Sequence, residues 1–416
     1  MPYVELIKTA CSFLLRTQRD DGGIAAGTID DNVSGIWTTA ETLEALLSTQ
    51  YLDFDISIFD NLIKMVLYLT NRFIPERQNT GYWEITDGMG ASIMSTGHVI
   101  HALSLFLDKM LIESRVQALI IDSVKYDILS IREEINNCVK KAQNWLYENI
   151  QIDNGWSETS KNAHKDSKIF CTYYALRGLN STGKTCENDN RVFLASVYIR
   201  DMIDVTINNK KRLLEGEIAN LLYGYIALHR SKYFSASDDS FRRKITKSIR
   251  ENWKDIYNCT NFENLRREEL PFVHNIPCIA LNTILTVEDY SFNREIRALI
   301  NFFVNSRNSD GSWGVKKGDK QECTWVTADV LLIFNQAQSK FKRYNDKILL
   351  TKKFKLLVTS NVFMLLLTSL AFLYYLFARH FGGGENESIS IINIIIVIVG
   401  LASSIITVYE FLRSRK

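Results

Sequence analysis

Proline is scarce, with four residues in a chain of 416. A chain so short of the residue that breaks helices is expected to be helical rather than a turn-rich all-β protein. Its seven cysteines form no Cys-x-x-Cys pair. That argues against a paired-cysteine zinc site and a disulfide frame, and for buried thiols in a reducing compartment. No charge of one sign dominates, with 49 Lys and Arg against 47 Asp and Glu. A nucleic-acid footprint needs a strong basic surplus, so no nucleic-acid partner is expected. The short runs Lys210-Lys211-Arg212 and Arg242-Arg243-Lys244 read as solvated helix faces. There is no Gly-rich phosphate loop, because Gly382-Gly383-Gly384 stands between two apolar runs. Glu5, Lys8 and Arg16 interrupt any apolar stretch at the N-terminus, so no signal peptide is expected there.

Long hydrophobic runs are confined to the end of the chain. Residues 356–378 and 389–409 carry no charge and no histidine. Each is long enough to cross a hydrocarbon core of ~30 Å as a helix. From residue 352 onward seven basic residues stand against three acidic ones, clustered as Lys352, Lys353 and Lys355 before the first run and Arg413, Arg415 and Lys416 after the second. The positive-inside rule then gives a multi-pass protein of the inner (cytoplasmic) membrane with both termini cytoplasmic. The expected order is a cytosolic domain at 1–345, a basic linker at 346–355, a span at 356–378, an external loop at 379–388, a span at 389–409 and a basic tail at 410–416. Asn361 and Asn393 offer polar contacts between spans or within the hairpin.

The first 340 residues repeat. Gln18-Arg19-Asp20-Asp21-Gly22-Gly23 is followed by Ile36-Trp37-Thr38-Thr39-Ala40, and Asn308-Ser309-Asp310-Gly311-Ser312-Trp313 by Cys323-Thr324-Trp325-Val326-Thr327-Ala328. Two further copies run from Gly81-Tyr82-Trp83-Glu84 to Ser95-Thr96-Gly97-His98, and from Asp153-Asn154-Gly155-Trp156-Ser157-Glu158 to Phe170-Cys171-Thr172. Two degenerate copies place inner helices at 216–228 and 274–285. Charged amphipathic helices are expected at about 3–18, 58–74, 136–150, 190–205, 240–258 and 293–306. Six outer–inner pairs stack into a solenoid or close into a ring. Asp and Gly supply the turns, and Trp covers the joints between hairpins.

The segments 18–23, 153–156 and 308–314 resemble the Gln-Trp repeats of the squalene–hopene cyclase and protein prenyltransferase superfamily. That resemblance implies an all-α, six-hairpin α/α toroid with a central cavity. It does not carry over the chemistry. The cyclase Asp-x-Asp-Asp segment that runs into Thr-Ala matches Gly35 to Thr38 and Cys323 to Val326, which hold no acids. Asp30 and Asp31 lie nearby but out of register, and are the only weak catalytic candidates. The Asp, Cys and His that hold zinc in prenyltransferases have no counterpart, and the Cys-Gly-Glu-Gln thioester string is missing. No metal, no cofactor and no confident catalytic residue are therefore expected, which leans away from an enzyme.

The N-terminal ends of the inner helices carry free N–H groups and partial positive charge, and would form the mouth of a ring. They place Trp37, Thr38, Trp83, Glu84, His98, Trp156, Glu158, Trp325 and Thr327 around a ligand cavity, with His101, Asp166 and Tyr173 beside them. Three functions follow. One is a sensor–effector whose toroid binds a small molecule or protein and controls the membrane hairpin as a homo-oligomer, in the manner of membrane-damaging anti-phage effectors. The second is a membrane-bound enzyme of isoprenoid metabolism, and the third a non-catalytic scaffold on the bilayer.

Overall fold

The computed structural model describes residues 3–338 except 29, 31, 50–57, 113–127, 159–165, 210–211, 235–238, 259–274, 288–291 and 315–319; the side chains of 110–112, 128 and 239 are also not described. Helices alternate along it. The outer set is α1 (Val4–Arg16), α3 (Ile58–Asn71), α5 (Ile128–Glu148), α7 (Asn190–Asn209), α9 (Asp239–Glu251) with the short α10 (Trp253–Asn258), and α12 (Asn293–Ser306). The inner set is α2 (Ile36–Leu47), α4 (Ile93–Ile112), α6 (Ile169–Ser181), α8 (Glu215–Arg230), α11 (Ile276–Val287) and α13 (324–338). Two small antiparallel pairs precede inner helices: β1 (Ile24–Ala25) with β2 (Ser34–Gly35), and β3 (Ile74–Arg77) with β4 (Thr80–Tyr82).

Burial separates the two sets. In α1 the buried residues Leu6, Ile7, Ala10, Cys11, Phe13 and Leu14 recur at helical spacing on one face. In α2 every residue except Trp37 is buried, including Glu41 and Glu44. The inner helices pack on one another in chain order, α2 on α4, α4 on α6, α6 on α8 and α8 on α11.

The ring closes between the first and last repeats. Thr324 N donates to Gly27 O at 2.8 Å, and its hydroxyl donates to Ala25 O at 2.9 Å. Arg307 donates to the Thr9 hydroxyl at 3.3 Å, and the Tyr3 and Phe334 rings lie 5.3 Å apart. These contacts make the fold an α/α toroid rather than an open solenoid.

The repeat motif works as a joint. In the Trp copies the indole N–H donates to a carbonyl near the end of the outer helix: Trp83 to Leu69 O, Trp156 to Leu146 O and Trp313 to Phe303 O, at 2.7 to 2.8 Å. Those carbonyls are among the last four of their helices, where the helix itself supplies no i+4 donor; Leu146 O accepts from Asn149 N as well, at 3.2 Å. The backbone N–H of the same Trp donates to a threonine hydroxyl of the inner helix, Thr96, Thr172 or Thr327, and Ile24 N does the same to Thr39. Asp21, Asp153 and Asp310 each accept from the backbone N–H two residues on, which fixes the turn.

One contact is closer than the others. A Cβ on Gly97 would overlap the Tyr174 carbonyl, and one on Gly178 would come within 2.7 Å of Gly97 O. The absence of side chains at both positions lets α4 and α6 touch backbone to backbone.

Among the described residues no helix is long and apolar enough to cross a membrane. The expectation of a multi-pass inner-membrane protein with cytoplasmic termini is corrected on that finding. The longest strongly apolar helix described, α4, is enclosed by α2, α5 and α6 rather than by lipid, and carries Asp108 and Lys109 near its end. The linker 346–355, the runs 356–378 and 389–409, the loop 379–388 and the tail 410–416 lie outside the described residues, as does the expected domain boundary at 345.

Candidate functional site

The threonines of the joints set which side chains face the axis. Each points outward to its turn, so the positions two and five residues later share the opposite face of the helix. From Thr39, Thr96, Thr172 and Thr327 these positions hold Glu41 and Glu44, His98 and His101, Tyr174 and Arg177, and Asp329 and Leu332. Tyr223 and Ile226 of α8, and Ile279 and Asn282 of α11, line the same axis. Trp37 and Trp325, one turn earlier on α2 and α13, stand above Glu41 and Asp329.

A cavity of about 230 Å³ opens at this end of the ring, lined by Trp37, Thr38, Glu41, Ile85, Met94, Tyr174, Tyr223, Asn275, Trp325 and Asp329, among others. Trp37 packs edge-on against His98 and Tyr174, at centroid distances of 4.7 and 4.8 Å. Below it lies a space of about 30 Å³ between Glu41, Glu44, His98, Arg177 and Asp329, with Tyr173 and Cys278 in its wall.

Two carboxyls from opposite ends of the described chain meet at the cavity floor. Glu41 and Asp329 are hydrogen-bonded to each other. Burial raises Glu41 well above the usual carboxylate range, and the negative charge of Asp329 adds to it. Burial raises Asp329 as well. Like charges this close in a low-dielectric site cannot both ionise, so the pair holds one proton between its two members. Glu41 Oε2 is buried and has no protein hydrogen-bond partner. A neutral acid with a free oxygen and a carboxylate beside it can deliver a proton and take one back.

Glu44, one turn deeper, behaves in the opposite way. Burial would raise its carboxyl, but the Arg177 guanidinium and the two histidines outweigh burial and hold it well below its usual range. Arg177 donates to Glu44 Oε1, and His98 Nε2 and His101 Nε2 each lie 3.2 Å from a Glu44 oxygen. Burial pushes His98 down to about 4 and lowers His101 too. Both rings are therefore neutral at pH 7 and donate Nε2–H to an ionised acceptor. Burial also keeps the Tyr174 and Tyr223 phenols and the Cys278 thiol protonated. Among the described residues no group of three or more His, Cys, Asp or Glu is arranged to hold a metal.

The residues expected from sequence divide into three sets. Trp37, Thr38 and Trp325 line the cavity, and His98 and Tyr173 line the space beneath it. His101 joins the same cluster through Glu44. Trp83, Trp156 and Thr327 are instead buried in the joints. Glu84 anchors the 86–90 turn by accepting from Gly88 N at 2.5 Å and Gly90 N at 2.8 Å, and Glu158 pairs with Lys168 at 2.7 Å. Asp166 and Asp30 are exposed, and Asp31 lies outside the described residues. Glu41, Glu44, Tyr174, Arg177, Tyr223 and Asp329 were not anticipated. One signal was available: the first and last copies of Trp-x-Thr-Ala are each followed by an acid, on a helix otherwise almost without charge.

No protein-family model matches the sequence, and no curated protein matches it. Solved structures share the fold. A cellobiose 2-epimerase from Bacillus thermoamylovorans has a TM-score of 0.52 at 11% identity, over 81% of this chain and 99% of that one. A GH76A α-1,6-mannanase from a Salegentibacter species has a TM-score of 0.53 at 9% identity, over 80% and 98%. A D-mannose isomerase has a TM-score of 0.52 at 11% identity, over 80% and 95%. At these identities the likeness is one of fold, the α/α toroid. These likenesses show the α/α toroid, the coarser part of what the Gln-Trp segments imply, and none of the three is a terpenoid cyclase or a prenyltransferase.

Proposed function

We propose that the toroid catalyses proton transfer on a small, neutral, polyhydroxylated substrate of about monosaccharide size. The observation that carries this reading is the Glu41–Asp329 pair, which holds one proton at the floor of an aromatic-lined cavity. Size supports a small substrate, since 230 Å³ falls below the ~300–1,000 Å³ usual for drug-sized ligands and is too small for a long polyene. Lining supports a polyol: Trp37 and Trp325 offer flat apolar faces, while Thr38, Asn275 and the tyrosines offer hydrogen bonds. The solved structures with this fold named above act, by their names, on sugars.

The spacing of the pair favours isomerisation over hydrolysis. Glycosidases hold their two carboxyls ~5–5.5 Å or ~6.5–9.5 Å apart. A directly hydrogen-bonded pair is closer and leaves no room for a sugar C–O bond between its members. It suits a step in which the Asp329 carboxylate takes a proton from a carbon next to a carbonyl and Glu41 protonates the carbonyl oxygen. An enediol results; Asp329 then returns its proton to either carbon while Glu41 takes a proton back from the hydroxyl of the other, which re-forms a carbonyl and restores both groups. The anti-phage effector and isoprenoid-enzyme readings depend on the runs 356–378 and 389–409 and gain no support from this cavity.

The test is proton exchange. Purified full-length protein is incubated with a panel of aldoses and ketoses in D₂O, and deuterium at the carbon next to the carbonyl is followed by NMR. Exchange by the wild type, its loss in Glu41→Gln and retained sugar binding by that variant are expected. Absence of both exchange and binding across the panel would overturn the reading.

A further inference from the structure

The cavity wall holds a second unmet atom besides Glu41 Oε2. Among the described residues that line the cavity, the enclosed side-chain polar atoms without a hydrogen-bond partner are Glu41 Oε2 and Asn275 Nδ2. Neighbouring groups are engaged. The Thr38 hydroxyl donates to Ala26 O at 3.0 Å, and Tyr174 and Tyr223 are hydrogen-bonded to each other. Asn275 is only 2% exposed, and an amide N–H left unmet in so buried a place is costly.

Local chemistry fixes which end of that amide is free. Asn275 is the N-cap of α11: its Oδ1 accepts from Cys278 N at 3.1 Å, and its backbone carbonyl accepts from Ile279 N at 2.9 Å. The side-chain oxygen is committed to the helix, so only the NH2 group is left for a ligand. Asn275 stands one turn before Ile279, as Trp37 stands before Glu41 and Trp325 before Asp329. It belongs to the layer of side chains one turn above the Glu41–Asp329 floor. Among the described lining residues there is no Lys, Arg or His. An amide does not offset the charge of a phosphate or carboxylate, so the oxygen it suits is a neutral one.

We propose that Asn275 is the donor that orients the ligand in the cavity, through a hydrogen bond from Nδ2 to a hydroxyl or carbonyl oxygen of an uncharged sugar. This rests on reading the cavity as a sugar site, and not on the proton-transfer step. The amide does not titrate, so it positions the ligand and leaves proton transfer to the carboxyl pair. A sugar without the matching oxygen would leave the buried N–H unpaired, which makes the same atom a specificity determinant.

The experiment uses full-length protein at pH 8, with D-mannose, D-glucose and D-fructose as probes. Binding is read by isothermal titration calorimetry, proton exchange by deuterium uptake, and stability by the unfolding temperature without sugar. Asn275→Asp keeps an oxygen that caps α11 but, once ionised, has no N–H to donate. It is expected to unfold near the wild-type temperature and to bind sugar at least about tenfold more weakly, as befits an acceptor that loses its donor. Asn275→Ser caps the helix through a shorter, uncharged side chain. It should weaken binding in the same direction, which removes the added charge as the cause and serves if Asn275→Asp does not fold. Glu41→Gln should lose exchange and bind as wild type does. Wild-type binding without exchange, weakened in the Asn275 variants, would overturn the proton-transfer reading and leave this one standing. Wild-type affinity in Asn275→Ser would overturn this proposal alone and make Asn275 a helix cap only. Failure of wild type to bind any of the three sugars would overturn both.

Discussion

Glu41 and Asp329 occupy the same position in the first and last repeats, two residues after the threonine that fixes each inner helix to its turn, and ring closure joins their carboxyls in a hydrogen bond. The two are far apart in sequence and adjacent only because α13 returns beside α2. Their partnership separates a floor that can exchange protons from the deeper Glu44 cluster, which cannot.

The pH dependence of stability reports whether Glu41 keeps its proton. Its carboxyl is raised above the ordinary value of 4.5, first by burial. A group raised in this way contributes stability that is full below its unfolded value and is lost as pH rises through its folded value. Gln at this position cannot ionise. The stability of Glu41→Gln relative to wild type is therefore expected to increase between pH 5 and pH 8, measured by urea midpoints. A flat difference would show that Glu41 is ionised throughout.

His98 shapes the acid limb with the opposite sign. Burial lowers it from 6.5 to about 4, so the folded state holds the ring neutral. That contribution is present above pH 6.5 and is lost as pH falls towards 4. A tenfold change in proton affinity is worth about 1.4 kcal/mol, so the loss is on the order of a few kcal/mol. His98→Asn, which keeps a donor towards Glu44, should flatten stability between pH 6.5 and 4. Direct NMR titration of the His98 ring near 6.5 in the native protein would contradict this.

Arg177 is the group that lets Glu44 stay charged. Arg177→Met leaves a carboxylate of 5% side-chain exposure without its main partner, and breaking a buried pair costs about 3–5 kcal/mol. Adding Glu44→Gln to that variant should restore part of the loss. Denaturant unfolding of both single variants and the double variant measures the coupling, and simple additivity would argue that the pair is not coupled.

The joint tryptophans should prove structural. Trp156→Phe keeps an aromatic ring but leaves the Leu146 carbonyl with only the Asn149 N–H, at 3.2 Å. Loss of one such hydrogen bond costs about 0.5–1.5 kcal/mol. A lower unfolding temperature is expected, with ligand binding in the cavity unchanged. A selective loss of binding at constant stability would instead bring Trp156 into the site.

Much of the architecture was legible because local chemistry repeats. The Asp-Gly turns, the Trp that follows them and the Trp-x-Thr-Ala helix starts each satisfy groups within their own hairpin or its neighbour. The number of hairpins and the outer–inner alternation follow from their spacing. The resemblance directed attention to the acids before Thr-Ala, where this chain has none, while Glu41 and Asp329, on which the proposed function rests, come directly after it.

By itself the sequence determined the helical repeat, the positions of its joints and the nearly charge-free inner helices. It also placed Trp37, Thr38, His98, His101, Tyr173 and Trp325 near the axis. Tertiary structure alone decided which axial residues meet. Helical periodicity points Glu41, Glu44, Arg177 and Asp329 inward, but only ring closure and the Gly97–Gly178 backbone contact set their mutual distances. Those distances decide protonation. Beside Asp329 a buried carboxyl keeps its proton, and one turn deeper, beside Arg177, another loses it.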